Sequence, residues 1–498
     1  DIVIGNPPYI RQESITDIKP YLEKIDGKPN YEVYNSTSDI YTYFFELGHK
    51  ILKQDKGVFS YICSKQYTRG RFGQKLREYL INKSRISGYI DFHEVQVFGA
   101  TVDTSIIFFQ KSQTVREKYS FLYCLVGNDI QKNNPLIEYI EKNCWMMGKE
   151  ILNPNSWSFA PKNETEIIKQ IESSGKNLID YGIKINLGIK TGFNDAFYLS
   201  KDVKDALIKA EPKSENLIVK LLRGRNIKRY VANFADTWLL NTHNGYKDIP
   251  AIKVEEGYPK VFEYLKQFKA KLEKRGDKGW HWTNLRNCTY IDDFKEPKVT
   301  WITLSDKANF LYDVEGYFVN NSAYFFTGQN LKYYTAILNS KLVEWYFNYI
   351  ATHSGVGTNR WEKTYVEQIP IPEIPKVEMK PFEILVDYIT FIKKYSERIS
   401  PYTPNDHMAA NFEELVDACV YELYFKEHME EKGLTVLKEV NQLLKPIDHL
   451  DEKTQADKIV KIINAVYDEY KSTDNFIRRR ILDFPVKSPD IINVIQNG

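Results

Sequence analysis

The chain has 498 residues, 43% hydrophobic and 27% charged, which excludes a disordered tail, a small disulfide-stapled domain and a coiled coil. The 68 Lys and Arg nearly balance 66 Asp and Glu, for a net charge of +2, so no global field selects a polyanion and local charge must carry any nucleic-acid argument.

In chain order, Ile2–Ile4 reads as a strand, Tyr41–Lys53 as an amphipathic helix closed by Gly57, and Val58–Cys63 as a second strand. Phe72–Leu80 follows as a helix, then Ile86–Phe92 and Thr104–Phe109 as strands. Alternation of this kind predicts an α/β domain over residues 1–112, with a mostly parallel sheet covered on both faces. Ligands on such sheets sit beyond the carboxyl ends of the strands, so residues 6–9 stand where chemistry would occur. Residues 113–180 read as a connector with one helix over Asn163–Ser173. Residues 181–375 carry short β-rich runs, aromatic clusters and turn glycines, with helical stretches near Pro259–Glu273 and Leu331–Tyr349. They end in Ile369-Pro370-Ile371-Pro372, a domain exit. Residues 376–498 read as a helical region built from Phe382–Lys394, Phe412–Phe425, Gly433–Leu444 and Asp457–Tyr470, with an irregular tail after Asp483.

The five cysteines are scattered without a C-x-x-C pair, so neither a disulfide framework nor a metal site is expected, and a reducing cytoplasm fits. No apolar run reaches the roughly 18 residues of a membrane span, so no membrane partner is expected. The chain opens at Asp1 already inside a strand pattern, which reads as a fragment lacking an N-terminal part.

Asn6-Pro7-Pro8-Tyr9, directly after an apolar strand and Gly5, is the most informative segment. It resembles the catalytic motif of amino-group methyltransferases that use S-adenosylmethionine. An exocyclic amine on adenine is a poor nucleophile because its lone pair is delocalised into the ring. Acceptors on its two N–H groups, the Asn6 side-chain oxygen and the Pro7 carbonyl, draw density onto nitrogen. Pro7 and Pro8 stiffen the turn, and Tyr9 offers a stacking face to an extruded base. The plain alternative is a strand-to-loop turn. The motif also serves enzymes acting on glutamine side chains or ribosomal RNA.

Further segments widen the resemblance. Asp39-Ile40-Tyr41 through Phe45, Gly57–Ile62 and Val97-Phe98 through Phe109 look like later motifs of gamma-class adenine-N6 DNA methyltransferases, which implies that Phe98 forms the other side of the base sandwich. Gly188–Phe197, Leu221–Ile227, Leu338–Lys341 and Tyr365–Pro372 are similar to the TaqI-like specificity domain of type IIG restriction-modification enzymes. The resemblance implies a partial Rossmann-like methyltransferase sheet, then an α+β target-recognition domain over 181–375 and the helical region. It implies a site-specific adenine-N6 methyltransferase of a restriction-modification or phage-defence system, with double-stranded DNA as partner. Asn6 would also touch the donor. The family's glycine-rich donor loop and ribose-binding acid have no counterpart here. The main S-adenosylmethionine pocket is therefore expected in a missing N-terminal methyltransferase half, with a nuclease domain as a further candidate partner, and the fragment alone should be inactive. Asp293 with Glu296-Pro297-Lys298 imitates a metal-nuclease pattern but falls inside the reader and is read as chance. The rival readings are a specificity module without catalysis of its own and an RNA adenine methyltransferase.

Residues 181–375 hold 28 Lys and Arg against 22 Asp and Glu, whereas residues 376–498 hold 17 against 22, so the middle segment is the expected DNA partner. Arg223, Arg225, Lys228 and Arg229 form one basic cluster, fitting scaffold or phosphate contact rather than base readout. Lys266–Lys278, with Lys274 and Arg275, forms another that reads equally as a solvated helix face. Gly355–Trp361, with Arg360, is a candidate loop near DNA, and Arg478-Arg479-Arg480 a solvated or phosphate-binding run.

Overall fold

The computed structural model describes residues 1–92, 95–99, 103–112, 118–127, 130, 135–157, 159–160, 162–276, 279–351 and 358–497. They fall into two compact units, Asp1–Pro161 with Asn348–Arg360, and Lys162–Phe347 with Trp361–Gly498.

In the first unit the apolar alternation of β1 (Ile2–Gly5), β2 (Val58–Ser64), β3 (Ser84–Asp91) and β4 (Thr104–Lys111) builds a sheet that continues into β5 (Ser120–Leu125) and β6 (Cys144–Gly148). The order is β1-β2-β4-β3-β5-β6. The segment expected as a connector therefore contributes two strands. β1 runs parallel to β2, and β3 to β5, but β4 is antiparallel to both neighbours and β6 to β5. The sheet is mixed rather than mostly parallel. No helix lies between β3 and β4 among the described residues, and a strand that returns without a crossover runs antiparallel.

One face packs Phe59, Tyr61, Tyr89, Ile107 and Phe109 under Tyr41 and Phe45 of α1 (Tyr41–Ile51) and Leu76 and Leu80 of α2 (Gln74–Lys83). Phe59 stacks on Phe109 at 4.1 Å, and burying each such ring stabilises the unit by about 1.5–3 kcal/mol. The opposite face is closed over β3 and β5, where Ile90 and Cys124 meet Leu136, Tyr139 and Ile140 of α3 (Leu136–Asn143). Over β1 that face is open, with Ile2 72% and Ile4 79% exposed. This corrects the expectation of a sheet covered on both sides: β1 is an edge strand paired only with β2.

The second unit begins with α4 (Lys162–Ser173). It holds two four-stranded sheets: β7 (Lys184–Leu187) with β14 (Ala323–Thr327), β11 (Lys298–Ile302) and β12 (Phe310–Asp313), and β8 (Tyr198–Ser200) with β10 (Thr237–Leu240), β9 (Ile218–Leu222) and β13 (Phe318–Val319). Pro370-Ile371, read as an exit, pairs antiparallel with Lys176-Asn177. The helix expected over Pro259–Glu273 is two, α5 (Pro259–Lys266) and α6 (Lys269–Glu273). The one expected over Leu331–Tyr349 is also two, α7 (Leu331–Leu338) and α8 (Lys341–Ile350). They break at Asn339, whose side chain donates to Phe310 O at 2.8 Å and accepts from Phe310 N at 3.0 Å, a tie to β12 that continuing helix would not allow.

The helical region comprises α9 (Lys376–Lys394), α10 (Asn405–Tyr424), α11 (Leu437–Leu443), α12 (Ala456–Lys471), α13 (Phe476–Lys487) and α14 (Pro489–Asn497). The tail expected to be irregular is helical. Ile491, Ile492 and Ile495 are buried at helical spacing, and Pro489 occupies the first helical position, where its missing N–H costs nothing.

Candidate functional site

β1 ends in Gly5, which lies opposite Tyr61 in the β1–β2 register. A Cβ at Gly5 would lie 3.0 Å from the Tyr61 ring, so any larger residue would have to push that ring aside by a few tenths of an ångström. The chain then turns outward through exposed Asn6, buried Pro7 and exposed Pro8. Neither proline has an N–H, so the turn offers carbonyls and the Asn6 amide but few donors. Downstream, Ile40 N–H donates to Ile10 O at 3.1 Å and Gln12 N–H to Asp39 Oδ1 at 2.9 Å, pinning the motif's exit to the start of α1. Burial raises the Asp39 carboxyl above the usual carboxylate range.

Tyr9 is 36% exposed, and its hydroxyl donates to Ile62 O at 3.3 Å, which anchors the ring against β2. Burial, with Cys63 nearby, pushes its phenol up to about 12, so it stays neutral at any working pH. Tyr41 meets the ring edge-on at 6.4 Å, and half-buried Phe98 lies 6.1 Å away at a tilt of 56°. The structure thus brings together Asn6, Pro7, Pro8, Tyr9 and Phe98, all in the first unit.

Two residues that the sequence did not single out brace the same strand ends. Lys65, just past β2, and Asp91, ending β3, form a buried ion pair at 2.9 Å. Asp103, before β4, accepts the Lys65 N–H on its backbone carbonyl at 2.9 Å, and burial raises its carboxyl. The signal lay in their positions at strand ends, but a lone Lys and a lone Asp far apart in sequence carry no motif.

The expected DNA contacts divide. Arg225, Lys228 and Lys274 are exposed, and Arg223 is half-buried with its N–H held by Asn226 Oδ1 at 3.2 Å. The intervening Gly224 N–H reaches Asn320 Oδ1 and Ser322 Oγ, each at 3.2 Å, and a Cβ there would meet Ser322 Oγ at 2.6 Å. This fixes the Arg223-Gly224-Arg225 backbone. Arg229 and Arg275 are corrected to structural roles. Arg229 pairs with Glu413 at 2.6 Å and Glu344 at 3.6 Å. Buried Arg275 donates to the carbonyls of Thr191, Trp282 and Asn284. Arg360 is half-buried, and its charge acts on Asp103. Lys278 and Gly355–Gly357 lie outside the described residues. Of the Arg478–Arg480 run, Arg479 pairs with Asp474 at 2.6 Å and Arg480 with Glu439 at 3.9 Å.

The nuclease-like pattern is not assembled: Lys298 is buried against Asp313 at 2.6 Å, while Asp293 takes bonds from Lys184 and Asn186. Among the described residues no group of three or more His, Cys, Asp or Glu could hold a metal ion, and no helix is long and apolar enough to cross a membrane.

Residues 1–98 match the family model of the Eco57I restriction-modification methylase, and residues 219–371 that of the TaqI-like C-terminal specificity domain. The chain is 21% identical over 412 residues to type II methyltransferase M.BstVI of Geobacillus stearothermophilus, covering 78% of this chain and 70% of the relative. It is 22% identical over 404 residues to type II methyltransferase M.XhoI of Xanthomonas vasicola, covering 76% and 69%. Among solved structures it is similar in fold to the type IIL restriction-modification enzyme MmeI in complex with DNA, with a TM-score of 0.57 at 12% identity over 94% of this chain and 57% of that one. The chain is thus similar to an Eco57I-type methylase at its start and to a TaqI-like specificity domain in its middle, and over most of its length to type II methyltransferases.

Proposed function

We propose that this chain supplies the adenine-accepting part and the DNA reader of a site-specific adenine-N6 DNA methyltransferase. The observation that carries the reading is the acceptor-rich Asn6-Pro7-Pro8 turn at the carboxyl end of β1, with Asn6 and Pro8 exposed, the Tyr9 ring anchored beside it and Phe98 opposite. Asn6 Oδ1 and the Pro7 carbonyl accept hydrogen bonds from the two amine N–H groups of an adenine rotated out of the duplex, which draws electron density onto nitrogen. The prolines hold both acceptors in place, so little reorganisation is needed as positive charge builds on that nitrogen. Tyr9 and Phe98 hold the base by its faces, at roughly 1–3 kcal/mol per stacking contact.

S-adenosylmethionine, when bound, supplies an electrophilic methyl group. Asn6 fits the methyl end of that donor. A glycine-rich loop for its adenosine end has no counterpart in residues 1–498, so we propose that the donor also needs protein surface beyond these residues, against the open edge of β1. The setting proposed is the cytoplasm, where the five cysteines, free in the structure, remain thiols. A nuclease partner is compatible with this reading, and nothing in the chain's own chemistry requires one.

The test incubates the complete enzyme with labelled donor and either duplex DNA or RNA, followed by mass spectrometry of the nucleosides. N6-methyladenine in DNA supports the reading. Methylated RNA alone would select the RNA alternative. Duplex binding without donor binding or methylation would select the binding-only one.

A further inference from the structure

Trp280 is 61% exposed, an unusual place for the largest apolar side chain. Its backbone is tightly braced. The Trp280 N–H donates to Asn244 Oδ1 at 2.7 Å, and Asn244 Nδ2 donates in turn to Leu285 O. Gly279, at a φ of +62°, lies so close to Asn244 that a Cβ would meet its amide at 1.9 Å. On the far side Arg275 donates to Trp282 O and Asn284 O, each at 2.8 Å, and Asn284 Nδ2 to Ile252 O at 2.9 Å.

A run of rings leads inward from Trp280, to His281 at 5.8 Å, Trp282 at 5.3 Å from it and Phe262 at 5.6 Å from that. Lysines lie over the run and beside it: Lys266 Nζ is 4.7 Å above Phe262 and Lys269 Nζ 5.8 Å above Trp282, while Lys271 Nζ is 5.1 Å above Phe193, outside the run. Lys266, Lys271 and Lys274 are exposed, and no ion pair holds them among the described residues. Lysine is depleted at protein–protein interfaces, whereas nucleic-acid surfaces combine such cations with projecting aromatic rings. The charge is thus complementary to a polyphosphate backbone, and the indole to the sugars and base edges that line a groove.

We propose that Trp280 is a duplex-contacting residue of the reader: its indole packs on sugars and base edges in a groove, while Lys266, Lys271 and Lys274 neutralise the flanking phosphates. The proposal rests on the reading of the chain as a DNA methyltransferase. Titration of the full-length protein against a fluorescein-labelled mixed-sequence duplex, by anisotropy at several salt concentrations, tests it. Trp280→Ala should weaken binding about 10- to 150-fold with the salt slope unchanged, and Trp280→Phe should restore most of the loss. The triple variant Lys266→Gln/Lys271→Gln/Lys274→Gln should flatten the slope by about 2–3. Wild-type affinity in Trp280→Ala would overturn the proposal and leave the DNA reading standing. A melting temperature that falls together with affinity would assign Trp280 a structural role and overturn it as well. An unchanged slope in the triple variant would overturn the phosphate contacts. Wild-type protein that binds no duplex would defeat the DNA reading itself, and this proposal with it.

Discussion

The rings of Tyr9 and Phe98 lie 6.1 Å apart at a tilt of 56°. A third ring between them needs about 3.5–4 Å on each side, so the two must part and turn parallel before a base can enter. Tyr9 is held by its bond to Ile62 O, which leaves Phe98 to move. Tyr9→Ala and Phe98→Ala should each lower the single-turnover methylation rate of the complete enzyme by about 5- to 150-fold. Tyr9→Phe, which keeps the ring and loses only the anchor, should stay within a few-fold of wild type. Equal losses in Tyr9→Phe and Tyr9→Ala would show that the hydroxyl, and not the face, matters.

The two arginines flanking Lys228 should separate in a salt titration. Arg225 is exposed, whereas Arg229 faces Glu413 and Glu344. Arg225→Gln should reduce the salt slope of duplex binding by about 1 without changing the melting temperature. Arg229→Gln should lower the melting temperature with the slope intact, because it strands Glu413 beside Lys393 alone.

Lys298 and Asp313 are register partners in β11 and β12 and form a fully buried ion pair at 2.6 Å. Lys298→Met leaves a buried carboxyl without its partner and should cost about 3–5 kcal/mol in urea unfolding. The double variant Lys298→Met/Asp313→Leu should recover most of that. A single variant as stable as wild type would mean that the pair contributes nothing.

His49, on α1, faces α2. Its Nε2 lies 3.0 Å from Lys83 O and its Nδ1 3.0 Å from the Tyr79 hydroxyl. The carbonyl can only accept, so Nε2 carries a proton; burial favours the neutral ring, in which Nδ1 accepts from Tyr79. Burial lowers the imidazole pKa. The unfolded chain therefore binds the proton first, near pH ~6.5. The contribution of His49 is fully present above that pH and is lost as pH falls through the lowered folded value. Melting curves of wild type and His49→Gln should differ by a constant amount above that pH and converge below it. A gap that widens on acidification would contradict this.

How far the fold could be read in advance follows from local signals. β1, β2, β4 and α1 were legible because their apolar alternation or helical spacing is uninterrupted, and the motif was legible because Gly5 and two prolines mark one sharp turn. β5 and β6 were not: Ser120–Leu125 and Cys144–Gly148 are short, sit among polar residues and become strands only by pairing with each other and with β3. The expected helix began only at Phe382, after Pro381, yet that proline sits in the second turn of α9, where its missing N–H frees the carbonyl of exposed Val377. α14 was hidden by Pro485 and Pro489. Arg229 and Arg275 look like phosphate ligands in sequence, and only the distant Glu413 and the carbonyls around Trp282 turn them inward. The Lys65–Asp91 pair joins residues that nothing local connects.

The most direct test of the central claim places the complete enzyme in a host without adenine methylation and maps the host genome by single-molecule sequencing. The account predicts N6-methyladenine in one recurring duplex motif, abolished by Asn6→Ala while the variant still binds DNA. An unmodified genome from a folded, donor-binding enzyme, or a modification that survives Asn6→Ala, would contradict it.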